Sequence, residues 1–165
     1  MENQTKFEQA EQLAKNTFKG FCEQQKWCNI KRFTQGKFDP YDVVYTTNNN
    51  TTIGEIKLRK YNVSDFNDWF LEKDKYDRII EIANNSTKYV KATYINHFQD
   101  NVTAIWDLSK IDVSKLELRK MLLQENDYSQ NKVEKWVIML PYHLAETKEE
   151  TNNELPMFSL HNYDI

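Results

Sequence analysis

Residues 38–60 read FDPYDVVYTTNNNTTIGEIKLRK, and the alternation within this stretch decides the fold. Tyr41 to Thr47 is rich in Val, Tyr and Thr, the residues of a pleated strand. Asn48, Asn49 and Asn50 follow as a turn, because Asn tolerates positive φ, and Thr51 to Lys60 returns as a second strand to close a hairpin. On the returning strand, alternation puts Ile53, Glu55, Lys57 and Arg59 on one face and Ile56 and Leu58 on the other. Asp42 shares its face with Val44, so pairing of the two strands brings Asp42 beside Glu55. Two carboxylates that close repel each other unless a proton or a cation lies between them. Hard oxygen ligands with room for water suit Mg²⁺. The competing reading is a cross-strand ion pair on a solvated sheet face, worth less than about 1 kcal/mol.

Outward from the hairpin the periodicity changes. Upstream, Phe7, Ala10, Ala14, Phe18 and Phe21 recur at helical spacing between Thr5 and about Gln25, and Asn29 to Gln35 reads as a short strand. Downstream, Ser64-Asp65 resembles a helix start, and Phe66, Trp69, Phe70, Tyr76, Ile80 and Ala83 extend an apolar stripe to about Asn84. Two strands are expected at Tyr89–Phe98 and Asn101–Leu108, around a Gln99-Asp100 turn. A short helix near Asp112 or Ser114 and a last strand over Val133–Leu140 complete the order. The pattern predicts an α/β protein with a mixed central β-sheet flanked by helices and the first hairpin near its centre. One domain over residues 1–144 is expected, with an acidic, partly flexible tail over 145–165.

Bulk composition narrows the function without choosing it. A chain of 165 residues with 39% hydrophobic and 13% aromatic content can bury a substantial core. The net charge of -3 excludes a uniformly basic nucleic-acid coat but leaves room for a local basic groove. The first sixteen residues, MENQTKFEQAEQLAKN, lack a signal-peptide apolar run, and no stretch approaches the roughly 18 apolar residues of a membrane span, so a cytoplasmic protein is expected. Cys22 and Cys28 have no second pair and no neighbouring His to complete a zinc site, and are expected as reduced thiols. Triplets such as Asn62-Val63-Ser64 and Asn101-Val102-Thr103 then reflect an Asn-rich composition rather than glycosylation. Abundant Asn, Lys, Tyr and Ile suggest an AT-rich genome, bacterial or phage.

The hairpin with its flanking helices resembles the PD-(D/E)XK nuclease superfamily. Asp42 precedes Glu55-Ile56-Lys57 on the next strand, after a first helix that carries Glu8 and Glu11. The resemblance covers roughly residues 5 to 98 and implies a restriction-endonuclease-like core of helix, three strands, helix and strand. It implies that Asp42 and Glu55 bind the metal and that Lys57 orients or activates the attacking water and offsets phosphate charge. Glu11, or Glu8 one turn earlier, would be the first-helix acid that supports the metal site. The sequence departs from the pattern before the aspartate: Tyr41 precedes Asp42, whereas Pro40 follows Asp39. Asp42 is preferred because it lies within the Val-rich strand, and Asp39-Pro40 reads as the turn into it. A Glu-x-Lys triplet alone is cheap; Glu146-Thr147-Lys148 matches it in a polar tail with no upstream aspartate.

The function implied is Mg²⁺-dependent hydrolysis of phosphodiester bonds in DNA by a metal-activated water, with Mn²⁺ as substitute. The rival is a nuclease-fold protein that binds nucleic acid or a protein partner without cutting. So short a chain offers no separate target-reading domain, and cutting both strands would call for a homodimer or a partner. Arg59 and Lys60 are candidates for phosphate contact or for a solubilising strand end. Lys73 and Lys75, on the second helix, are candidates for a supporting role at the site. His97 is expected to be a packed histidine, and Trp27, Trp69, Phe70 and Trp106 to be packing residues rather than base-stacking platforms.

Overall fold

The computed structural model describes residues 2–36, 38–126 and 129–150, with side chains from Lys6 onward. Helix α1 (Glu2–Gln25) leads into strands β1 (Cys28–Phe33), β2 (Val43–Thr47) and β3 (Asn50–Arg59). Strand β4 (Asp68–Glu72) runs directly into helix α2 (Lys73–Asn85), and β5 (Val90–Phe98), β6 (Val102–Asp107), β7 (Leu118–Gln124), β8 (Lys132–Pro141) and β9 (Thr147–Glu150) follow. Six strands form one sheet in the order β1-β2-β3-β5-β6-β9, parallel only between β3 and β5, and β4-β8-β7 form a second, antiparallel sheet. The expected α/β architecture, with a mixed sheet and the hairpin at its centre, is the one found. Among the described residues no helix is long and apolar enough to cross a membrane.

Each face of the large sheet has its own core. Ala14, Phe18 and Phe21 of α1 cover Val43, Tyr45, Ile56, Ile95 and Ile105. On the opposite face, Ile79 and Ala83 of α2 join Trp69, Leu71, Ile138 and Leu140 of the small sheet over Ile53, Tyr94 and Trp106. Alternation along β3 therefore separates Ile56 on the α1 side from Ile53 on the α2 side. The turn of the hairpin is a two-residue loop whose Asn48 and Asn49 both take positive φ, 48° and 67°, the conformation for which Asn is suited.

Gly54 faces the α1 side between its neighbours. A Cβ there would come within 2.9 Å of Ile95 Cδ1 and 3.0 Å of Thr93 Oγ1, because β5 packs against β3 without room for a side chain. Gly54→Ala is expected to lower stability by about 1–3 kcal/mol through overpacking. Chemical denaturation would show it, and an unchanged midpoint would mean that β5 can yield.

Several sequence expectations are corrected. The helix expected from Ser64 begins only at Lys73; the residues before it form a single 3-10 turn, Val63–Asp65, and then β4. The spacing of Phe66, Trp69 and Phe70 suits a helix, but Trp69 and Leu71 alternate inward once β8 supplies a ladder from Trp69↔Leu140 to Glu72↔Val137. Pairing across 70 residues of chain wins over local periodicity. Strand β7 was not anticipated. Neither was β9, which takes Thr147–Glu150 out of the expected tail and adds it to the edge of the large sheet through Val102↔Glu150 to Ile105↔Thr147. Residues 151–165, with His161, lie outside the described residues.

Cys22 and Cys28 are not separate thiols but form a disulfide, with Cα atoms 5.2 Å apart. Lys26 takes φ 61° and donates its N–H to Cys22 O at 3.0 Å, so the chain reverses between α1 and β1 and both cysteines enter the same core. His97 is packed as expected, fully buried against Phe18 and Phe21, with Nδ1 2.6 Å from Thr103 Oγ1. Burial pushes its pKa down to about 3. Trp69 and Trp106 are core residues, and Trp27 packs edge-on against Phe21.

Candidate active site

The site arises where β3 outlasts its partner. The β2–β3 ladder runs only from Thr47↔Asn50 to Val43↔Gly54, so beyond Gly54 the β2-facing edge of β3 has no strand beside it. Asp42 occupies the start of that gap. Its own N–H donates to Gly54 O at 2.8 Å, and its Oδ2 accepts the N–H of Ile56 at 2.7 Å, a bond that a continuing strand would have taken with a carbonyl. A side chain thus terminates the ladder, and its carboxylate is held against Glu55.

Glu55 is 6% exposed, pointing to the α2 side, where Lys75 donates to its Oε1 at 2.6 Å. Such a charge-assisted bond at a buried carboxylate fixes the orientation of the group. Burial, and then the charge of Glu55, raise the Asp42 pKa from 3.8 to about 7, against the lowering influence of the Ile56 N–H, Lys57 and Lys75. Lys57 lies one alternation beyond Glu55 on the same face. Its ammonium makes no hydrogen bond or ion pair with the described residues, and its charge acts on Asp42 through space. Asp42, Glu55, Lys57 and Lys75 all line one cleft of about 450 Å³ between α1, β3, α2 and the small sheet.

The remaining candidates sort by position. Glu11 lines the cleft, whereas Glu8 is exposed outside it. Glu11 is drawn to Lys15 at 2.8 Å, and Lys15 in turn donates to Thr34 O at 2.7 Å, pinning α1 to the loop before β2. Among the described residues no group of three or more His, Cys, Asp and Glu side chains is close enough to hold a metal. The carboxylates that meet are therefore two, Asp42 and Glu55. Asp39 is at the cleft rim, where its Oδ2 accepts the Gly36 N–H at 2.6 Å and folds its own loop. Lys73 pairs with Asp77 along the exposed side of α2, leaving Lys75 as the helix lysine that reaches the site.

Arg59 has a different role from phosphate contact. It donates to Asn96 Oδ1 at 2.6 Å, to Phe70 O at 2.9 Å and to Tyr94 OH at 2.7 Å, with its guanidinium 4.6 Å from the Phe70 ring centre. The bonds tie β3 and β5 to β4, joining the two sheets. Sequence alternation cannot reveal this, because the spacing of Phe66, Trp69 and Phe70 suits a helix and hides strand β4.

The two carboxylates suit a hard divalent cation. One oxygen of each, Asp42 Oδ1 and Glu55 Oε2, carries no hydrogen bond with the described residues, and burial, with the Glu55 charge second to it, makes the ionised form of Asp42 costly while no cation lies beside it. Mg²⁺ is commonly held by one or two carboxylates, with water and substrate phosphate completing the shell.

Leaving aside β4, which belongs to the second sheet and is inserted before α2, the order α1-β1-β2-β3-α2-β5, with the aspartate entering the second strand and Glu-x-Lys on the third, is the restriction-endonuclease-like core that the sequence implies. Among solved structures it is similar to the 1.6 Å structure of Archaeoglobus fulgidus Hjc, a Holliday junction resolvase from an archaeal hyperthermophile, with a TM-score of 0.49 and 11% identity over 78% of this chain and 91% of that one. No protein-family model and no curated protein matches the chain.

Proposed function

We propose that the protein is a Mg²⁺-dependent nuclease that hydrolyses phosphodiester bonds in DNA, with Mn²⁺ as a substitute ion. The observation that carries this reading is the meeting of Asp42, Glu55 and Lys57 in one cleft, with an uncommitted oxygen on each carboxylate and an ammonium without a direct partner. A structural ion pair would be self-satisfied; this set is not.

Asp42 and Glu55 would hold the ion, with Glu11 supporting from α1. When bound, the ion places positive charge against the phosphate and acidifies water. Lys57 then orients the attacking water and offsets the charge that grows on the non-bridging phosphate oxygens as water adds to phosphorus and a bridging P–O bond breaks. Lys75 acts through Glu55, fixing the carboxylate that must face the ion. Because each chain presents one such cleft, cleavage of both strands of a duplex takes two copies or a partner.

One observation favours a non-cutting alternative: in this arrangement Lys75 already pairs with Glu55, and among the described residues no third carboxylate joins Asp42 and Glu55. The test is a cleavage time course on duplex, single-stranded and branched DNA in Mg²⁺, Mn²⁺ and chelator, beside Glu55→Ala. Metal-dependent cutting that Glu55→Ala removes supports the nuclease. Binding without cutting of any form in either ion would assign the binder.

A further inference from the structure

Lys15 is the one buried lysine among the described residues, 8% exposed on a helix whose Lys6 and Lys19 are exposed. It lies one turn beyond Glu11, and both line the cleft. Burial of an ammonium is costly unless the charge is paired, and replacing such a pair with apolar groups is often neutral or stabilising. Packing alone therefore does not account for a charge at this position.

The bonds of Lys15 lead to two of the site's carboxylates. Its Nζ donates to Glu11 Oε1 at 2.8 Å and to Thr34 O at 2.7 Å. Thr34 is buried in turn and grips the chain that carries the aspartate: its N–H donates to Asp42 O at 2.9 Å and its hydroxyl to Tyr41 O at 2.8 Å. The backbone of Asp42 is thus held between Gly54 on β3 and Thr34, and Thr34 is tied to α1 by Lys15. Glu11 gives one oxygen to Lys15, and its Oε2 carries no hydrogen bond with the described residues. Glu55 shows the same division, with Oε1 taken by Lys75 and Oε2 open. Each of the two helices therefore supplies a lysine that fixes one carboxylate of the cleft.

We propose that Lys15 is a positioning residue of the metal site: it holds Glu11 at the cleft and, through Thr34, fixes the backbone from which the Asp42 carboxylate extends. This rests on the nuclease reading of the cleft and deepens it by giving α1 a defined part in the site. Among the described residues no third carboxylate joins Asp42 and Glu55, which leaves Glu11 to serve the ion through water. Such an outer contact is effective only when the carboxylate is itself held in place.

The test is calorimetric titration of Mn²⁺ into the DNA-free protein, at a temperature where thermal melts show every variant folded. Lys15→Met keeps an unbranched stem and removes the ammonium; it is expected to weaken Mn²⁺ binding about tenfold or more. The loss should be smaller when Lys15→Met is added to Glu11→Gln, because part of the effect runs through Glu11. Lys15→Gln, which retains a donor for one of the two oxygens, should fall between Lys15→Met and the parent, and it carries the test if Lys15→Met does not fold. In cleavage assays both variants should need more Mn²⁺ for half-maximal rate, with KM for DNA unchanged. A lysine that only supports the fold would lower the melting temperature and leave Mn²⁺ affinity as in the parent; with that result the positioning role falls and the nuclease stands. Tighter Mn²⁺ binding by Lys15→Met would also overturn the role, since Lys15 would then be keeping Glu11 from the ion. If Mn²⁺ binding depends on Lys15 but no form of DNA is cut, the positioning role holds and the nuclease falls. A parent that binds no Mn²⁺ would remove both.

Discussion

Asp42→Asn is expected to abolish cleavage in Mg²⁺ and at the same time to stabilise the metal-free protein above neutral pH. The amide retains an oxygen to accept the Ile56 N–H, so the end of the β2–β3 ladder survives while the charge beside Glu55 is lost. Loss of a carboxylate that would hold the ion should lower the rate roughly a thousandfold or more. The effect on stability follows from linkage. The folded-state pKa of Asp42 is raised from 3.8 to about 7, chiefly by burial and then by Glu55, so the folded protein binds the proton more tightly than the unfolded chain does. The stability associated with that proton is fully present below pH 4, is lost as pH rises through about 7, and is absent above it. Asp42→Asn should therefore melt close to the parent at pH 4 and higher at pH 8, by on the order of 1–4 kcal/mol. Thermal melts in chelator at the two pH values check this. A variant less stable than the parent at both would show that the Asp42 carboxylate is not penalised by burial and Glu55 in the metal-free protein.

What could be read from the sequence follows the range of the interactions involved. The β2–β3 hairpin was legible because every signal in it is local: β-branched runs, two Asn residues that accept positive φ, and a period of two that put Glu55 and Lys57 on one face. Helix α1 was legible for the same reason. What failed depends on partners distant in sequence. Residues Asp68–Glu72 look helical until β8, some 70 residues on, offers a ladder, and Leu118–Gln124 carries too little alternation to announce a strand without its β8 partner. Thr147–Glu150 reads as acidic tail and becomes a strand only because β6 leaves an edge open. At the site the same division holds. Alternation and the hairpin register bring Asp42, Glu55 and Lys57 together, but the bond from Lys75 to Glu55 and the capture of Glu11 by Lys15 are set by how α2 and α1 dock on the sheet. Nothing in the sequence separates the exposed Trp136 from the buried Trp69 and Trp106, since an exposed aromatic and a core aromatic look alike until burial is known.

Lys57→Ala should separate catalysis from binding. The carboxylates that would hold the ion are untouched, and an ammonium only repels a cation, so affinity for Mg²⁺ or Mn²⁺ should be equal or slightly higher in the variant. Folding should be little affected too, because the Lys57 side chain makes no hydrogen bond or ion pair with the described residues. Hydrolysis, by contrast, should fall roughly a hundredfold or more, the scale on which removal of one preorganised group facing a developing charge is felt. Lys57→Arg keeps the positive charge but replaces a compact ammonium with a planar fork of different reach and geometry that never gives up its proton, so it should recover only part of the rate. Calorimetry for the ion, run beside single-turnover cleavage, distinguishes the two effects. If Lys57→Ala lost ion binding and rate together, Lys57 would be organising the carboxylates rather than acting on the phosphate. If it lost neither, the open ammonium in the cleft would have no part in the chemistry, and the Asp42–Glu55 pair would have to supply all of it.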